Sequence, residues 1–432
     1  MSSILTNEGA TTALATLRNI NAQIAQTQNE ISTGKRTADP SSNGAVWSIS
    51  KTMRADIAGF KTVSASLSLG QATLSVARQG AETITELLSD MKTEIVASQE
   101  ANVDRSKIQN KITALREQID GIVATAAFNG QNLLKNTETT AGSGVINVLG
   151  SIDRGEGSVS STHLTFNRRD MGTGVSAVSG SGGDYTEDAV TQTLNATQSA
   201  TLDMSSLEVE AGAAFSFSIY GTDANDSTFT QDDYRTTTGA SETQAQMATS
   251  EISYVARDGD SIGDVAKALK RAWDDYAAGY DLSTDVLDVQ VSGESLVVSS
   301  TVTDGTDTIR TAINTLSADA GSTIGGGLEA IGEIDVTDNT GAAKALSQIE
   351  GLINYAIDAA AAFGSDQGRI ETQSEFVGKI TATLQDGVGQ LEDADMEDTS
   401  ARLQALQVQQ QLAVQALSIA NAAPRQLLAL FR

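Results

Sequence analysis

Between Leu403 and Pro424 this chain carries no charged side chain, and that stretch restricts what the chain can fold into. On a helix, Leu403, Leu406, Val408, Leu412, Val414, Leu417 and Ile419 point to several sides. A helix that is apolar on several sides has to be buried on several sides. The same stretch holds Gln404, Gln407, Gln409, Gln410, Gln411 and Gln415, whose amides are costly in lipid. A protein-lined tube or bundle therefore suits it better than a bilayer, and no membrane insertion is expected.

The other end follows the same logic. Residues 10–34 carry a seam of Leu17, Ile24 and Ile31 spaced by seven, with Leu14 and Ile20 beside it. Gly34 followed by Lys35 and Arg36 reads as a helix end, and Asp39-Pro40-Ser41-Ser42-Asn43-Gly44 as a loop. A second helical region starts near Ala45. Ile84, Leu88, Met91 and Ile95 follow alternating steps of four and three. After a polar break at Gln99–Arg105, Ile108, Ile112, Leu115, Ile119 and Ile122 resume them, as a coiled-coil seam does. Toward the far end, Leu346, Ile349, Ile353, Ala356, Ala360 and Phe363 form one seam, then Ile370, Val377, Leu384 and Leu391 recur every seven residues. An ordinary globular helix predicts shorter runs and more aromatics than the 4% found here. Both prolines, Pro40 and Pro424, are expected just outside helices.

From about Asn136 to Thr340 the pattern changes to short strands with Gly and Asp turns. Phe215, Phe217 and Ile219 alternate with small or polar residues, as in a half-buried strand. The stretch 251–300 reads as an α+β module. A strand with Ile252, Tyr254 and Val255 leads to Ser261 and Asp264, spaced as a capping box. A helix with Ile262, Val265, Ala266, Leu269 and Trp273 on one face comes next. Strands Val286–Val291 and Ser295–Ser299 turn at Gly293. Gly325-Gly326-Gly327 reads as a flexible return; no Gly-Lys-Ser/Thr follows it, so it is not a phosphate loop.

The fold class is mixed: a long α-helical coiled-coil bundle formed by both termini, with a β-rich α+β insertion as outer domain. Its expected divisions are a core helix in 1–44, bundle segments in 45–139 and 341–399, the outer domain in 140–340, and a second core helix in 400–432. The two termini would lie side by side, the outer domain projecting from the far end of the bundle. Bundle packing falls to Ile84, Leu88, Met91, Ile95, Ile108, Ile112, Leu115, Ile119, Ile370, Val377, Leu384 and Leu391. Assembly falls to Leu17, Ile24, Ile31, Leu403, Leu406, Leu412, Leu417, Leu427 and Leu428.

Composition excludes several kinds of chemistry. A formal charge of −27 argues against nucleic acid, whose phosphates need clustered cations. Cysteine is absent, so there is no disulfide, zinc thiolate or cysteine nucleophile. His163 is the one histidine; it cannot supply a paired-imidazole metal site, and its Ser/Thr-rich surroundings read as surface loop. The Asp-rich stretch Thr222–Asp233 lacks EF-hand spacing and reads as a solvated acidic loop. Asn195-Ala196-Thr197 and Asn225-Asp226-Ser227 match the N-glycosylation triplet. No basic-then-apolar start marks a signal peptide. No catalytic cluster, cofactor or metal site is expected.

Several ordered motifs resemble bacterial flagellin. Ser32-Thr33-Gly34-Lys35-Arg36 with Asp39 is similar to the family's "LSTGxRI…D", and Phe128-Asn129-Gly130-Gln131-Asn132-Leu133-Leu134 to its "FNGxxLL". Phe363-Gly364-Ser365-Asp366-Gln367-Gly368-Arg369-Ile370-Glu371 resembles "LGAxQNRLE", Leu391-Glu392-Asp393-Ala394-Asp395 "IEDAD", and Leu427-Leu428-Ala429-Leu430-Phe431-Arg432 the terminal "LLxLLR". The resemblance covers about 1–140 and 340–432. It implies an extracellular, non-enzymatic subunit that polymerises with itself into the flagellar filament. It also implies unfolded export through the flagellar type III apparatus, a chaperone at the C-terminal helix, and hook-associated junction and cap proteins as partners. A hook–filament junction protein is the alternative. Where many flagellins read "RxRELAVQ", a segment seen by an innate immune receptor, this chain has Met91-Lys92-Thr93-Glu94-Ile95-Val96-Ala97-Ser98, which implies weak recognition.

Overall fold

The computed structural model describes residues 7–155, 158–196, 198–224 and 227–429, without the side chains of 154–155 and 423–429. Both N-glycosylation triplets, the ring of Pro424, the side chains of Leu427 and Leu428 and the last three residues thus lie wholly or partly outside the described residues. The first half runs α1 (Glu8–Thr33), α2 (Gly44–Ser98), α3 (Arg105–Thr125), β1 (Ala127–Phe128), β2 (Gln131–Asn132), β3 (Val145–Gly155), β4 (Ser158–Asn167), β5 (Tyr185–Leu194), β6 (Gln198–Asp203) and β7 (Ala214–Thr222). Then come α4 (Gln244–Met247), β8 (Ser253–Val255), α5 (Ile262–Gly279), β9 (Asp288–Ser292), β10 (Ser295–Ser300), β11 (Thr308–Leu316), α6 (Asn339–Glu392) and α7 (Met396–Ala429). Two compact units result, one of Met1–Ala65, Ser151–Ser160 and Ser374–Arg432, the other of Ser66–Gly150 and Ser161–Gln373.

In the first unit the Asn7 side chain caps α1 by accepting from the Ala10 N–H at 3.0 Å, and Gly34 ends the helix at φ 66°. That left-handed conformation is open to glycine at no steric cost. Asp39 then folds the loop, accepting the N–H groups of Ser41 and Ser42 at 3.0 Å each. Pro424 corrects the sequence reading: α7 continues through it to Ala429. A proline inside a helix leaves the carbonyl four residues earlier without its donor. Here that carbonyl belongs to Ala420, and Asn7 Nδ2 donates to it at 2.8 Å.

In the second unit α2 buries one continuous side. Leu67, Gly70, Leu74, Ala77, Ala81, Ile84, Leu88, Met91 and Ile95 are all buried, in alternating steps of three and four. On α3, Ile108, Ile112 and Ile119 are buried while Leu115 and Ile122 are half-buried, and Val123 takes the last core position. On the part of α6 within this unit the buried apolar positions are Ala342, Ala345, Ile349, Leu352, Ala356, Ala359, Phe363 and Ile370. Ala345, Leu352 and Ala359 thus take the places expected for Leu346, Ile353 and Ala360, which are half-buried; both sets alternate steps of three and four between Ile349 and Phe363, so spacing alone does not separate them. The helices run antiparallel: Arg78 Nε donates to Gln367 Oε1 at 2.9 Å, and Gln99 Nε2 to the Ala342 carbonyl at 2.7 Å. Close approach needs Gly70, where a Cβ would come within 2.7 Å of Ile370.

The β-rich part contains a four-stranded antiparallel sheet, β5-β11-β7-β8, and a three-stranded one, β6-β10-β9. The capping box of Ser261 and Asp264 starts α5. Val265, Leu269 and Trp273 of α5 share one core with Phe215, Phe217 and Ile219 of β7 and with Leu296 and Val298 of β10. Strands of the 251–300 stretch pair outside it, β8 with β7 and β10 with β6. Strand β7 is not half-buried, because Ser216 and Ser218 on its other face are 0% and 4% exposed. The triple glycine is held, not loose: Gly326 N–H donates to the Gly174 carbonyl at 2.7 Å, and a Cβ there would lie 1.9 Å from the Gly172 carbonyl oxygen. His163 lies exposed on β4 rather than in a loop.

The seam assignment makes a paired forecast. Leu88→Ala, at a fully buried position, removes core contacts and should cost about 2–5 kcal/mol of subunit stability. Val96→Ala, on a half-exposed side of the same helix, should change it by less than about 0.5 kcal/mol. Urea unfolding of the two variants checks the difference, and equal losses would refute the seam.

Candidate assembly surface

The two terminal helices meet within the first unit. Pairing is antiparallel, as Asn7 bonds to Ala420 and Gln410 Nε2 donates to Asn21 Oδ1 at 2.6 Å. Between them Ile20, Ile24, Leu406 and Ala413 form a narrow buried core, with Leu17 and Leu403 packed against it. Thr27 is enclosed as well, its hydroxyl turned back to the Gln23 carbonyl at 2.8 Å.

The opposite side of α7 is different. At 3.6 residues per turn, Val408, Leu412 and Ile419 fall on one stripe, facing away from Leu406, Ala413 and Leu417. They are 57%, 57% and 72% exposed. Among the glutamines, Gln404, Gln407, Gln409, Gln411 and Gln415 are exposed too. No helix among the described residues is long and apolar enough to cross a membrane.

A polar clasp closes the base of the pair. Lys35 and Asp393 form an isolated antiparallel bridge, in which Ala394 N–H donates to the Gly34 carbonyl at 3.0 Å and Arg36 N–H to the Glu392 carbonyl at 2.6 Å. The Glu392 side chain is 2% exposed. Its carboxylate pairs with Lys35 Nζ at 2.9 Å and with the Arg54 guanidinium. Burial raises the Glu392 pKa, yet the hydrogen bonds from Lys35 and Arg54 outweigh it and hold the group below the usual glutamate value.

The structure divides the sequence-based assembly set. Ile24 and Leu406 are buried in the helix pair, while Leu17, Ile31, Leu403 and Leu417 are half-buried and Leu412 is exposed. Of the bundle seam, Ile370 belongs to the second unit; Val377, buried, and Leu384 and Leu391, half-buried, belong to the first. Sequence reasoning gave no role to the clasp, nor to Ala413. Lys35, Arg36 and Glu392 stood in the quoted motifs, but nothing in their spacing showed that residues more than 350 apart would bond.

Helices from opposite ends of the chain, one with an uncharged apolar stripe left open, define a structural subunit built to associate. Residues 4–139 match the bacterial flagellin N-terminal helical region, and residues 346–431 its C-terminal helical region. A flagellin A of Rhizobium meliloti is 32% identical over 445 residues, covering 100% of both chains. Flagellin A of Rhizobium meliloti strain 1021 is 34% identical over 444 residues with the same coverage. A crystal structure of Xanthomonas campestris FlgL is 12% identical and covers 79% of this chain and 99% of its own, at a TM-score of 0.30. The chain belongs to the bacterial flagellin family. It is a subunit of the flagellar filament, which lies outside the cell and forms by self-polymerisation. The alignment to flagellins also takes in the β-rich middle, so the hook–filament junction alternative is the weaker one.

Glu392→Gln tests the clasp. A depressed pKa contributes stability above the unfolded-state value and loses it as pH falls through the folded-state value. The substitution should therefore cost about 1–3 kcal/mol near neutral pH, and the difference from the parent chain should vanish in strong acid. Thermal unfolding across that pH range measures it; a difference that grew toward acid would refute the assignment.

Proposed function

We propose that filament assembly is carried by the open side of α7, with Val408, Leu412 and Ile419 closing against neighbouring copies. The supporting observation is that this uncharged helix buries only one side within its own chain. Such contacts join unlike surfaces, and heterologous contacts that do not close generate helical filaments. Between α1 and α7, a groove of about 500 Å³ lined by Gly9, Thr12, Ala13, Ala413 and Ala416 offers room for a neighbour's side chains. In this reading Leu17, Ile24, Ile31, Leu403, Leu406, Leu417, Leu427 and Leu428 hold the terminal helices together or extend the same contacts. Residues 1–44 and 400–432 act as the assembly core, 45–139 and 341–399 as the surrounding bundle, and 140–340 as the outer domain.

The role is structural and non-enzymatic. Asp170 supports this, since at 1% exposed it is engaged with its own chain, accepting the N–H groups of Asn136, Gly172 and Gly327. Export proceeds unfolded through the flagellar type III apparatus, with a chaperone covering the open side of the C-terminal helix. Hook-associated junction and cap proteins bind the ends of the polymer through the same surfaces.

Leu412→Asp places a charge on the open stripe without touching the buried pair. Electron microscopy after ammonium sulfate, which strengthens apolar burial, should show filaments from the parent chain and none from the variant. Circular dichroism should remain unchanged. Normal filaments from the variant would overturn the assignment. In the same samples, amides of α1 and α7 should exchange rapidly in the free subunit and become protected in the filament; protection in both states would mean that assembly does not order them.

A further inference from the structure

The four-stranded sheet has a polar interior on the face away from α5. Ser216, Asn314 and Glu242 are all 0% exposed there. Ser216 and Asn314 stand directly opposite each other on β7 and β11. The Ser216 hydroxyl donates to Glu242 Oε2, and Asn314 Nδ2 lies 2.7 Å from that oxygen and 3.2 Å from Ser216 Oγ. The carboxamide carbon is one bond further along. Asn314 Oδ1 accepts the Asp188 N–H at 2.8 Å. Asp188 adopts φ 52°, uncommon for a residue other than glycine. The pairing of β11 with β5 shifts register between Ile313 and Thr315, across this position. Such irregularities re-aim backbone groups, and this one points a donor at the carbonyl oxygen. The groups acting on Glu242 are hydroxyls, an amide and the Asp188 carboxylate, and burial above all raises its pKa.

We propose that Ser216 and Asn314 join in an intramolecular ester, with Glu242 moving the proton. Ser216 Oγ attacks Asn314 Cγ while its hydroxyl proton passes to Glu242. The negative charge developing on Asn314 Oδ1 is met by the Asp188 N–H, a donor fixed in place beforehand. Glu242 then returns the proton to the leaving nitrogen. The Cγ–Nδ2 bond breaks, the Oγ–Cγ bond remains, and one ammonia is released. Enclosure keeps water from competing with the hydroxyl. Ammonia that escapes is protonated and diluted, so the reverse reaction does not compete.

Ser218 is also 3.2 Å from Asn314 Nδ2, but its hydroxyl turns to the Ala312 carbonyl rather than to Glu242. That difference selects Ser216. The product would tie two central strands at positions 98 residues apart. It would restrict the unfolded chain as a disulfide does, in a protein that has no cysteine.

Intact-mass measurement of the folded full chain tests the proposal. The expected mass is one ammonia below that of the sequence, with tryptic peptide 170–235 joined to 311–344. Ser216→Ala should restore the full mass and separate the peptides, and Glu242→Gln should keep the full mass. A parent chain of full mass after prolonged incubation would overturn the ester. So would an ammonia loss that persists in Ser216→Ala, as a cyclised Asn129-Gly130 would produce. Should both variants fail to fold, the joined or separate peptides of the parent chain decide by themselves.

Discussion

Helix α7 meets α1 through Leu406 and Ala413, while its far side leaves Val408, Leu412 and Ile419 in solvent. Helices gain most of their stability from packing an apolar face rather than from propensity. A pair that shares so narrow a core has most of its available burial still unmade. The clasp matters for this reason: Gly34, Lys35, Arg36 and Arg54 hold the Glu392–Ala394 segment through backbone and charge. It fixes where the two helices enter the pair, so the open stripe is presented in a defined register although little apolar burial enforces it.

The second unit works under no such debt. Its seams run without interruption from Leu67 to Ile95 and from Ala345 to Phe363. Small residues in them, such as Gly70, Ala77 and Ala356, let the helices approach closely. Its sheets close around α5, with Phe217 edge-on to Trp273 at 6.1 Å. The polar face of β7 is closed by the segment carrying Glu242, whose hydrogen bonds satisfy groups that would otherwise be costly to bury. The chain thus combines a part that completes its own core with a part that leaves one side of α7 uncovered.

What the sequence revealed follows from how local each signal is. Heptad steps, the Gly34 helix end and the Ser261–Asp264 box concern neighbours within a few residues, and all appear in the structure. Ile353 and Ala360 were misplaced because a seam can drift by one position with no change in composition. Strand β7 looked half-buried because small polar residues read as solvent-facing. Only the distant Asn314 and Glu242 show that Ser216 and Ser218 face a second interior. Pro424 looked like a helix end because its compensation comes from Asn7, at the other end of the chain. The clasp escaped notice for the same reason.

Charge placement is the remaining constraint on assembly. A chain with a net charge of −27 repels its own copies, and salt screens that repulsion beyond about 8 Å at physiological strength. Screening does not help surfaces in direct contact, so the contact helix proposed for assembly would have to be free of charge, as α7 is from Leu403 to Pro424. Its polarity resides instead in glutamine amides, which add no net charge but must find partners once enclosed. Gln410 already shows the mode of pairing, bonded to Asn21 of the same chain. Apolar residues can slide past one another at little cost, whereas a buried amide without its partner costs about 1–3 kcal/mol. In the proposed assembly, on a helix that alternates leucine and valine with glutamine, the apolar side chains would therefore supply the attraction and the amides would restrict the registers in which it can be used.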